Sequence, residues 1–80
     1  MKNDAEVQLK VIREFKSDPL LAPIASAIRV NASSGIVTIS GKVESFLLMN
    51  TLEEVALRLK EVEVVSLDIE VTPQSVINSP

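Results

Sequence analysis

Ile28-Arg-Val-Asn-Ala-Ser-Ser-Gly-Ile-Val-Thr-Ile-Ser-Gly-Lys-Val43 alternates apolar and polar residues, breaks at Ser33-Ser34-Gly35, then alternates again through a second glycine, Gly41. Period-two alternation on both sides of a short break predicts a half-buried β-hairpin. Ile28, Val30 and Ala32 share one face of the first strand, with Arg29 and Asn31 on the other. Ser33-Ser34-Gly35 is a short connection with glycine where a positive φ is needed. In the return strand Val37, Ile39, Gly41 and Val43 face inward, and Ile36, Thr38, Ser40 and Lys42 face outward. Branched residues dominate both strands, as a pleated half-buried surface favours. Gly41 occupies an inward position where a side chain is expected, which predicts a bulge or the close approach of another backbone.

Helical periodicity flanks the hairpin. Upstream, Val7, Val11, Ile12 and Phe15 fall on one arc, with Leu9 at its border and Lys10, Arg13 and Lys16 opposite. Those cations read as a solvated face paired in part with Glu6 and Glu14. Asn3 or Asp4 can cap this helix, and Asp18-Pro19 ends it. The apolar link Pro19–Ile24 predicts a short turn over one end of the core. Downstream, Ser45 can cap a second helix running to about Lys60, with Leu48, Leu52, Val55, Ala56 and Leu59 on one stripe and Met49 beside it. Phe46, Leu47 and Leu57 lie off that stripe. A third strand follows from Val64, with Val65, Leu67, Ile69 and Val71 inward and Ser66, Asp68, Glu70 and Thr72 outward.

The expected fold is therefore α+β: an αββαβ two-layer sandwich with two helices on one face of a three-stranded mixed sheet. A helix between strands two and three makes those strands parallel, and strand three is expected beside strand two, with a place beside strand one also open. Residues 4–72 form the domain, and 73–80 read as a C-terminal tail or truncated linker.

Composition narrows the function. The chain has 80 residues, one domain's worth, and lacks cysteine and histidine. No Ser-His-Asp or Cys-His constellation can be built and zinc has no good ligand set, so neither a catalytic residue, a metal ligand nor a cofactor is expected. Gly35 and Gly41 form no phosphate-binding loop. A net charge of −3 and only two aromatic residues, both Phe, argue against nucleic acid. The longest apolar run, Phe46–Met49, is far short of a membrane span. The N-terminus carries no signal-like segment, so the expected location is cytoplasmic if this is the full native chain, and periplasmic or envelope-associated if it is excised from a longer precursor.

Asp4 with the Val7–Phe15 helix, Asp18-Pro19, Ile28-Arg-Val30, the string Gly35-Ile-Val37-Thr-Ile39-Ser-Gly41-Lys-Val43-Glu-Ser45, the second helix, and Val62-x-x-Val65-x-x-x-Ile69-x-Val71 together resemble the BON domain, a bacterial module named for osmotically induced and nodulation-associated proteins. The resemblance spans Asp4 to Val71. It implies the αββαβ fold and a non-catalytic attachment role, with related domains described as phospholipid-binding modules of periplasmic and outer-membrane stress proteins. Others accompany channels, secretion pores, potassium-binding proteins and regulatory nucleotide-binding domains. One departure is visible: Glu61-Val62 stands where the family usually has Gly-Val, which alters the helix exit because Glu resists the left-handed cap that glycine adopts.

Two surfaces are candidate binding sites. The first is the corner where strand two enters helix two, with Gly41, Lys42, Phe46 and Leu47; the competing reading packs Phe46 and Leu47 on the Leu20–Ile24 turn. The second is the uncovered sheet face, with Arg29, Asn31, Thr38 and Ser40 at its centre and Ile36, Lys42, Val64, Ser66 and Asp68 around them. The expected partner is a phospholipid membrane. The alternative is a protein-interaction or self-association module of a larger stress-response or regulatory protein, pairing as a homo-oligomer through a sheet edge. Potassium held by backbone carbonyls near the glycines is a third reading.

Overall fold

The structure is a computed structural model and describes residues 3–72. Helix α1 spans Asp4–Ser17, strands β1 and β2 span Arg29–Ser33 and Ile36–Val43, helix α2 spans Phe46–Leu57, and strand β3 spans Val64–Val71. The strand order is β1-β2-β3, with β1 antiparallel and β3 parallel to β2. The place beside β1 left open above is therefore not used. The expected tail, 73–80, lies outside the described residues.

The hairpin turns through two residues, Ser34 and Gly35, at φ +51° and +83°. Two successive positive φ values make the mirror-image turn whose twist matches the flanking strands. Ser33 pairs with Ile36, Ala32 with Val37 and Val30 with Ile39, so the inward row lies in register. Helix α1 is anchored to this turn. Asn3 caps the helix by accepting the Ala5 amide at 2.8 Å, which leaves the Asp4 carboxylate to accept the Ser34 amide at 3.1 Å.

Val7, Val11 and Phe15 from α1, Leu52, Val55 and Ala56 from α2, and Val30, Ala32, Val37, Ile39 and Val43 from the sheet form one buried core. Ile12, Leu48, Met49 and Leu59 pack partly against it, while border residue Leu9 is exposed. Alternate positions on β1 and β2 are buried, so the helices cover a single face of the sheet.

Three local expectations need correction. The Pro19–Ile24 link extends into a 3-10 helix over Ala22–Ala27, burying Leu21 and Ala25. Asp18 shapes the turn that leads into it, its carboxylate accepting the amides of Leu20 at 2.8 Å and Leu21 at 3.3 Å. Ile28 consequently caps that helix instead of opening β1, though it stays buried. Helix α2 ends at Leu57, short of Lys60. The amides of Arg58, Leu59 and Val62 bond carbonyls three residues back, and no residue there has positive φ. Without glycine at position 61 the chain leaves the helix by tightening its turns, with no left-handed cap. Finally, Lys10 does not pair along its own helix with Glu6 or Glu14; it reaches Glu61, across the fold.

Candidate functional site

Ser45 sets the corner that follows β2. Its hydroxyl accepts the Leu48 amide at 3.2 Å, closing the N-terminus of α2. With Leu52 and Val55 turned to the core, the first turn sends Phe46 and Leu47 outward, each 64% exposed. The 3-10 helix does not cover them, so the competing reading, in which they pack on the Leu20–Ile24 turn, is set aside. Leu57 is eleven positions after Phe46, about 20° round the same helix, and is also exposed. The outer arc of α2 thus carries three large apolar side chains, with Arg58 at its end. Lys42, exposed at the end of β2, stands three residues before the cap.

Gly41 belongs to this corner as a backbone element. Its φ is +144°, and a Cβ there would sit 3.1 Å from Ile28 Cδ1 and 3.2 Å from the Ala27 carbonyl oxygen. The expected close approach of another backbone is thus present: the end of the 3-10 helix lies against Gly41.

The uncovered sheet face is graded along the strands. Ile36 lies beside Val64, and both are exposed. Next comes a hydroxyl and amide row, Asn31–Thr38–Ser66, then Arg29–Ser40–Asp68, then Lys42–Glu70. Thr38 and Ser40, on the central strand, are half-buried by their neighbours, whereas Arg29 and Asn31 are exposed. Each cation on this face shares a row with a carboxylate, so the face offers no unbalanced charge.

A third feature escaped the sequence reading. An open groove of about 510 Å³ runs between α1 and the exit of α2, lined by Lys10, Arg13, Glu14, Arg58, Leu59, Lys60 and Glu61. Lys10 donates to Glu61 at 2.5 Å. That hydrogen bond, and then the carboxylate's charge, hold the Lys10 ammonium pKa above its ordinary 10.5. Four cations face two carboxylates here, in a chain of net charge −3. The residues come from segments more than forty positions apart. The sequence showed its two halves separately, the row of Lys10, Arg13 and Lys16, read as a solvated face, and Arg58 and Lys60, read as the end of a helix, with nothing to bring them together.

Among the described residues no group of acidic side chains is placed to hold a metal ion, and no helix is long and apolar enough to cross a membrane. No curated protein matches the chain. The family model described as BON domain matches residues 3–73, and the order of elements is the one the resemblance implied. The chain belongs to the BON domain family.

Proposed function

We propose that this chain is a non-catalytic attachment module that rests the outer arc of α2 on a phospholipid surface. Phe46, Leu47 and Leu57 enter the boundary between headgroups and acyl chains, while Arg58 at the end of the arc reaches toward lipid phosphates; Lys42, on the opposite face of the sheet beside Glu70, takes no part. The observation that supports this is the exposure of three large apolar side chains on one arc of a short helix. Burying a side chain of this kind contributes about 1.5–3 kcal/mol when complete. Three partial insertions therefore give weak, reversible attachment. Glu54, exposed in mid-helix, opposes a strongly anionic surface.

Co-sedimentation with phosphatidylethanolamine–phosphatidylglycerol vesicles tests the reading. The double variant Phe46→Asp/Leu47→Asp is expected to keep its circular dichroism spectrum and to stay in the supernatant. Vesicle binding equal to that of the parent chain, with the fold intact, would sink this site. A second reading, a protein-interaction module, is favoured by a different observation: among the described residues, one edge of the sheet is left open.

A further inference from the structure

The two edges of the sheet are unlike. At β1 two outward amides are taken by α1: Ala32 donates to Gln8 Oε1 at 3.2 Å, and Ser34, just past the strand, donates to Asp4 Oδ1. At β3 the amide of Val64 donates to the Gly35 carbonyl, and beyond the strand that of Thr72 donates to Val43. Even-numbered residues therefore hold the ladder to β2, which turns the N–H and C=O groups of Val65, Leu67, Ile69 and Val71 to the open edge. Among the described residues no side chain bonds to any of these groups. The strand is eight residues long and contains no Pro, Lys or Gly and no inward-facing charge; its two charged residues, Asp68 and Glu70, both stand on the uncovered face. Its inward row is only half-buried, whereas Val37 and Ile39 on the neighbouring strand are fully buried. The helical layer stops short of this edge.

We propose that β3 pairs antiparallel with β3 of a second copy of this chain, about a two-fold axis at Leu67, giving one six-stranded sheet. The inference deepens the protein-interaction reading by naming the partner. Opposed side chains in an antiparallel pair share a face, so the apolar row meets its own copy: Leu67 faces Leu67 and Val65 faces Ile69, all residues whose backbone groups point outward. Charge selects the register. On the outer face Ser66 then opposes Asp68 and Val64 opposes Glu70, with no like charges directly across. Moving the axis to Asp68 sets that carboxylate against itself, and moving it to Ser66 shortens the paired segment.

The full chain is expected to move in sedimentation equilibrium from 8.7 kDa toward twice that mass as concentration rises. Because the parent has no cysteine, oxidising a mixture of Ser66→Cys and Asp68→Cys chains should give a cross-linked dimer containing one of each, while each variant alone stays largely uncross-linked. Ser66 is exposed on the uncovered face, so its substitution spares the core. Ser66→Lys should tighten the dimer about two- to thirtyfold through two new charge pairs, and Ser66→Asp should weaken it. A mass of 8.7 kDa at every concentration, with no mixed cross-link, overturns self-pairing. If an extended peptide with lysine at alternate positions then protects the Val65, Leu67 and Ile69 amides from hydrogen exchange, the partner is a basic strand. Self-pairing then fails while the protein-interaction reading stands. With no protection, both fail.

Discussion

Gly41 holds φ +144° against the Ala27 carbonyl and the Ile28 side chain, and both features act together. A side chain there is strained by the backbone and meets a backbone carbonyl, that of Ala27, which cannot easily retreat. Gly41→Ala is therefore expected to lower stability by about 1–3 kcal/mol, read as a lower urea midpoint. The vesicle binding of the protein that remains folded should be unchanged, which separates a structural glycine from a ligand-contacting one. The inward placement of Gly41 was legible from alternation. The carbonyl that approaches it was not, since the 3-10 helix supplying it carries no clear period. Ser34 teaches the same lesson: its positive φ belongs to a two-residue turn that the pattern located only to within a residue.

At the scale of elements, α2 shows how far periodicity reaches. The stripe of Leu52, Val55 and Ala56 is fully buried, and the residues left off it, Phe46, Leu47 and Leu57, are exposed. Leu52→Ala should then cost about 2–5 kcal/mol, because it empties a site with no exposure. Leu57→Ala should stay within about 0.5 kcal/mol while weakening vesicle attachment. Chemical denaturation of the two variants side by side checks the contrast; equal losses would contradict the placement of the arc. The helix boundary was less legible. Helical periodicity continues through Leu59, but the backbone leaves the α-helix at Leu57, because the exit is decided by which carbonyls the next amides can reach. Strand β3 was readable as a strand, and its inward row was identified. Only the sheet order made it an open edge.

Across the whole molecule, Lys10 and Glu61 join α1 to the exit of α2. Since the folded pKa of Lys10 lies above the ordinary 10.5, the pair's stabilisation is full below that value and is lost as pH rises through the folded pKa. Denaturation of the parent and of Lys10→Met across the alkaline range should show curves that converge at high pH, with the parent more stable below. A constant offset through that range would show that Lys10 acts by packing alone. The same union gathers four cations beside two carboxylates in an acidic chain, although net charge had indicated no such concentration.

The α+β class, the inward rows and the two helical stripes follow from the sequence by itself, because each rests on spacing within an element and on the burial that spacing requires; the family follows from the order of motifs along residues 3–73. Tertiary structure alone decided that Phe46 and Leu47 stay uncovered, that Lys10 meets Glu61 and not its own helix, and that α1 takes two outward amides at the β1 edge while, among the described residues, none bonds the outward groups of β3. Those outcomes depend on the distance between elements, where a side chain's neighbours are set by how layers stack and end. Local periodicity holds no information about where a layer stops.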